Sequence, residues 1–210
     1  WSDYWGSSLP YYTPQCSERW YIREDTVHYG WDDHRLQQRY CQLALRGQTD
    51  IKQEPGKPPI IRNKVIFAHS MANLILAAAI KHGYCDFDNE TSSWYSIQAP
   101  YLGSPAASYL SSLCRNSSYY DLFYYTARWL HLCNATTMTE NRVYRTLEAS
   151  YCDSDGLCVR ELEKLSSSRR KGGMCGNSAM GLFSSWSVTF YTLSTLIGFQ
   201  EFNDGLVGIS

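Results

Sequence analysis

KVIFAHSMANLILAAAI, residues 64–80, runs from a short apolar stretch through a turn of small residues into a longer apolar stretch. Residues 65–68 (VIFA) form the continuous apolar run that a parallel-sheet strand shows when layers cover both of its faces. Residues 71–82 are apolar nearly all round, which suits a helix sandwiched between other layers, and Gly83 supplies the stop. Ser70 sits between the two. One reading makes it an ordinary helix cap. The other makes it a reactive hydroxyl on a tight strand-to-helix turn, where the residues two before and two after must be small because the backbones nearly touch; Ala68 and Ala72 meet that need.

The same alternation extends to either side. Residues 18–26 (ERWYIREDT) carry aromatic and β-branched side chains and read as a strand. Asp33 is placed to cap a helix over 34–46, with Leu36, Tyr40 and Leu43 on one face and Gly47 at its end. Residues 48–63, centred on EPGKPP, read as a loop, and 94–99 as a strand closed by Pro100. Ser104 and Pro105 fit the N-cap and first position of a helix reaching about residue 113, since proline has no N–H to lose there. Strand and helix in alternation predict an α/β sheet. From 114 to 186 the pattern loosens into aromatic helices, a tight CDSDGLC loop and a flexible SSSRRKGG stretch at 166–173.

Nineteen Lys and Arg against twenty Asp and Glu leave a net charge of -1, so no basic field is available to hold a phosphate backbone, and nucleic acid is not an expected partner. The eight cysteines lack the C-x-x-C spacing of a zinc site and read as disulfides. Cys152 and Cys158 enclose five residues and can pair locally; the other six leave fifteen pairings open. Sequons at Asn89, Asn116 and Asn134 point the same way, to a glycosylated chain in the secretory lumen or outside the cell. DSDG at 153–156 hints at a calcium loop but lacks the later glutamate, so a turn is expected, with no metal and no cofactor. The apolar runs at 74–80 and 188–199 fall short of the ~20 residues of a membrane span. Trp1 stands without an initiator methionine or leader, which reads as a chain trimmed or cut from something longer.

Three strings resemble the lipase-like α/β-hydrolase superfamily of secreted lipases and esterases. AHSMA (68–72) resembles its G-x-S-x-G turn with alanine at both glycine positions. SIQAPYLGSPAASYL (96–110) resembles the segment after the following strand, and NDGLVG (203–208) resembles the loop that carries the catalytic aspartate. The likeness covers 18–113 and 186–210. It implies a partial α/β-hydrolase fold, a mostly parallel sheet flanked by helices. The core is 1–113 with 186–210, incomplete at both ends, and 114–185 is a helical, disulfide-containing lid or cap inserted in it. It further implies Ser70 as nucleophile, Asp204 as the acid that orients the base, the Met71 N–H as oxyanion donor, and His69, Tyr101 and Phe123 as substrate contacts.

Two parts of that pattern are missing. All five histidines precede Asp204, so the base is expected beyond Ser210, and no apolar strand ending in His-Gly precedes residue 20. These gaps read as a fragment. Residues 119–132 hold six aromatics and suit either a lid that meets lipid or a helix packed on the core. The expected function is hydrolysis of small-molecule or lipid esters through an acyl-enzyme on Ser70, with transient contact with a membrane or lipid interface. The chain by itself is expected to be weak or inactive without its histidine. The alternatives are a catalytically dead module of the same fold that binds lipid or protein, and a disulfide-rich interaction domain in which the serine motif is accidental.

Overall fold

The computed structural model describes residues 8–49, 55–115 and 142–176, with isolated positions 178, 191, 194, 195 and 198. In chain order its elements are α1 (Ser8–Tyr12), α2 (His34–Ala44), β1 (Ile60–Ile61), β2 (Val65–His69), α3 (Ala72–Lys81), β3 (Asp86–Phe87), β4 (Ser93–Ile97), α4 (Pro105–Arg115), α5 (Arg142–Thr146), α6 (Val159–Arg169) and β5 (Arg170–Met174). β2, β4 and β5 form a parallel sheet in the order β2-β4-β5, and β1 pairs with β3 in the same sense. Parallel neighbours cannot be joined by a tight hairpin, so β2, α3 and β4 make one strand-helix-strand crossover. The architecture is mixed α/β with parallel strands.

α3 is the centre of the core. Every residue from Asn73 to Ile80 is buried, and the helix packs against α2, α6 and β2. Three consecutive alanines, Ala77, Ala78 and Ala79, are fully buried and keep the helix thin enough for neighbours on several sides. Leu74 and Ile75, also fully buried, each contribute on the order of 2 kcal/mol. Asp33 Oδ1 accepts the Leu36 N–H at 2.9 Å and so starts α2, and Gly47, at φ 72, lies just past its end. A Cys41–Cys85 disulfide fastens α2 to the turn after α3.

Ser104 Oγ accepts the Ala107 N–H at 3.2 Å and opens α4, as the Ser-Pro pair predicts. The preceding Gly103 has φ 87, and a Cβ there would stand 2.6 Å from the backbone nitrogen of Ala149. Gly103→Ala meets both a left-handed backbone and a clash with main chain, so it is expected to lower the unfolding free energy by about 2 kcal/mol or more, measured by urea titration.

The structure departs from the sequence reading in three places. Residues 18–26 form no strand: aromatic and β-branched residues favour a pleated surface only where a partner strand exists, and here Trp20 lies instead under the Arg46 and Lys64 cations, 5.0 and 5.1 Å from its ring. Among the described residues β2 is covered on one face only; Val65 and Phe67 remain 37% and 38% exposed, and Phe67 stacks on Tyr95 of β4. The stretch 166–173, expected to be flexible and part of the insertion, is the end of α6 followed by β5, which extends the central sheet. Polar and glycine-rich, RKGGM has no strand signature of its own; β4 supplies the free edge that it pairs with.

Candidate active site

Ser70 follows β2 directly and is separated from α3 by Met71 alone. Its φ is 52, in the left-handed region that costs a non-glycine residue on the order of 1 kcal/mol. Backbone bonds hold it there: Ser70 N–H donates to Ile97 O at 2.8 Å, across to the end of β4, and Ser70 O accepts the Asn73 N–H at 3.1 Å. The capping reading fails. A capping serine has extended backbone, whereas here Met71 is the N-cap, in helical conformation, and no side chain caps α3. The turn therefore presents a half-buried hydroxyl at the carboxyl end of a parallel strand, the edge where open α/β sheets bind ligands. The Met71 N–H lies at the start of α3, where helix N–H groups and the helix dipole favour developing negative charge.

Beneath Ser70 lies a polar brace that sequence reasoning passed over. Asn73 is fully buried; its Nδ2 donates to Ala68 O at 2.8 Å and Ser70 O at 3.0 Å, one carbonyl on each side of the turn's sharpest bend. Its Oδ1 accepts from Trp94 Nε1 at 3.1 Å and from the Tyr101 hydroxyl at 3.5 Å. The signal was available: Asn73 is the one polar side chain in ANLILAAAI, a helix otherwise apolar on every side. A buried amide in such a place must have partners.

Tyr101, expected to touch substrate, belongs to this brace. It is buried, its hydroxyl lies 3.0 Å from Ser96 Oγ, and burial pushes its ionisation upward. It supports the turn from within the core. His69 is half-buried at the rim. Its Nε2–H donates to Gln98 Oε1 at 2.8 Å, and Gln98, itself at φ 48, donates its backbone N–H to Met174 O at 2.7 Å. Two neighbouring strands thus end in left-handed residues, Ser70 and Gln98, whose backbones are tied to the next strand.

Asp204, Phe123, Asn116 and Asn134 lie outside the described residues, as do 119–132. Asn89 is half-buried, with Nδ2 3.5 Å from Ser168 O. Cys152 and Cys158 form the local disulfide that their spacing allows, while Cys16 and Cys175 are unpaired. These bridges are compatible with an oxidising compartment. Among the described residues no helix is long and apolar enough to cross a membrane.

No protein-family model matches the chain, and no curated protein does. Among solved structures it is similar to the lipase BlEst2 of Bacillus licheniformis in its mature form, with a TM-score of 0.42 and 16% identity. The match covers 82% of this chain and 59% of that one, so the chain spans well under two thirds of the lipase's length. This likeness assigns no role to any residue.

Proposed function

We propose that the chain is a serine carboxylic-ester hydrolase of lipase or esterase type, built on an α/β-hydrolase fold and acting through an acyl-enzyme on Ser70. The observation that carries this reading is the left-handed Ser70, φ 52, held between β2 and α3 without serving as a helix cap. A strained residue persists where its surroundings over-determine it, and such strain concentrates at reacting groups. Ser70 Oγ attacks the ester carbonyl, the Met71 N–H steadies the oxyanion, and the alcohol leaves with the serine's proton. Water then releases the acid and restores the hydroxyl. Asp204 orients the histidine that carries the proton. Without such a base the step loses about 10²- to 10⁴-fold. Small-molecule or lipid esters are the proposed substrates, met at a lipid interface, in a secreted protein glycosylated at Asn89, Asn116 and Asn134.

One observation favours the rival, a catalytically dead lipid- or protein-binding module: His69, the residue next to the serine, directs Nε2 at Gln98. A fluorophosphonate probe applied to protein purified from its native source separates the two. The ester hydrolase gives an adduct on the Ser70 peptide by mass spectrometry, absent from Ser70→Ala. Folded protein that takes no label on Ser70 overturns the assignment in favour of the binding module.

A further inference from the structure

Among the described residues three that are not glycine have a positive φ: Asn63, Ser70 and Gln98. Asparagine enters that region readily. Serine and glutamine do not, so Ser70 and Gln98, at φ 52 and 48, need a cause. The two stand side by side. His69 and Ile97 are register partners, which makes Ser70 the first residue past β2 and Gln98 the first past β4, both at the carboxyl edge of the sheet. A reacting hydroxyl accounts for Ser70; nothing in the reaction itself calls for Gln98.

The peptide between Ile97 and Gln98 is held at both ends. A trans peptide is planar, with its carbonyl and its N–H pointing in opposite directions. Here Ile97 O accepts the Ser70 N–H at 2.8 Å, and the Gln98 N–H donates to Met174 O at 2.7 Å. One rigid unit thus spans the ends of β2, β4 and β5, and its tilt is set in part by the torsion φ of Gln98. The Gln98 side chain adds a second tie. Its Oε1 accepts the His69 Nε2–H at 2.8 Å, so residues 97 and 98 grip both Ser70 and the residue before it. Both partners of that bond are half-buried, where water competes less for the same groups.

We propose that Gln98 is a positioning residue for Ser70: through the Ile97–Gln98 peptide and the bond to His69 it holds the serine turn in its left-handed form. This rests on the ester-hydrolase reading, since the placing of the hydroxyl matters only where the hydroxyl reacts. The direction of Oγ follows the backbone of Ser70, whose N–H is held by Ile97 O and whose carbonyl is held by Asn73. Asn73 fixes the turn from the core, and Gln98 fixes it from the neighbouring strand. When the 97–98 peptide swings, the Ser70 N–H loses its acceptor and the turn relaxes. A displacement of about 1 Å in a reacting group can cost about 10²-fold in rate. His69, in this arrangement, is the strut through which Gln98 reaches the residue before the serine.

The test compares Gln98→Asn and His69→Phe with the native sequence in full-length protein labelled by the fluorophosphonate. Asparagine keeps the amide and accepts a positive φ better than glutamine does, but it is one methylene too short to reach His69. Phenylalanine keeps a ring and removes the donor. Each change is expected to slow labelling of Ser70 by about 10- to 100-fold, and the two together no more than the more severe one alone. The readout separates position from stability: unfolded molecules lower the fraction of protein that labels, whereas a displaced hydroxyl lowers the rate at which the folded fraction labels. His28→Ala, in an exposed pair with Asp25, is expected to label at the native rate. Labelling of folded Gln98→Asn or His69→Phe at the native rate overturns this inference alone. Native protein that takes no label on Ser70 overturns the ester-hydrolase reading and this inference with it.

Discussion

In protein that carries its catalytic base, Ser70→Ala is expected to cut ester hydrolysis by about 10⁴-fold or more in kcat, while the unfolding free energy moves by less than about 1 kcal/mol. Ser70 makes its structural contacts through the backbone, N–H to Ile97 O and carbonyl to Asn73. An alanine keeps both bonds and pays the same left-handed penalty. Glycine gives the sharper result. With no Cβ to crowd the following carbonyl it relieves the strain at φ 52, so Ser70→Gly is expected to raise stability by about 0.5–1 kcal/mol while hydrolysis stays absent. Urea unfolding and an ester assay on the same two variants check this. A serine whose removal stabilises the fold is one kept for something other than the fold. If Ser70→Gly proves destabilising by 1 kcal/mol or more, the hydroxyl is structural and the catalytic reading loses its support.

The sequence disclosed those parts of the fold whose signals are local. Continuous apolar residues at 65–68, a helix apolar nearly all round after them, Asp33 as a cap and the Ser104-Pro105 pair each act over a few positions, and each stands where it was expected. What stayed hidden depends on neighbours distant in the chain. β5 is a strand because β4 offers a free edge, and its Gly172 leaves space over which the Tyr95 ring lies, with a Cβ there 3.7 Å from that ring. Residues 18–26 have better strand composition, yet among the described residues they pair with no strand. The same division holds for the site. Ser70 could be read from its flanks, but Asn73 shows its purpose only when Ala68, Trp94 and Tyr101 are brought around it.

Asn73→Leu is expected to be the most damaging single change in this part of the molecule. Leucine has the same branched skeleton as asparagine and is a better helix former, so helix propensity alone predicts a small gain. Hydrogen bonding predicts the opposite. The substitution strands the buried Trp94 indole N–H, and a buried group left unpaired costs about 1–3 kcal/mol, so a loss of that size is expected. That is a large share of the 5–15 kcal/mol typical of a folded domain. Ser70 O keeps its bond to the Asn73 backbone N–H, but nothing then ties it to Ala68, and the turn is free to relax from φ 52. Labelling of Ser70 by the fluorophosphonate is therefore expected to slow even below the melting transition, which a loss of stability alone does not produce. Trp94→Phe removes the indole donor, so in a double-mutant cycle it should cost less in the Asn73→Leu background than in the native one. Strict additivity of the two changes would mean that Asn73 and Trp94 act separately. The brace would then be no more than two unrelated buried bonds, and the left-handed serine would owe its geometry to the sheet.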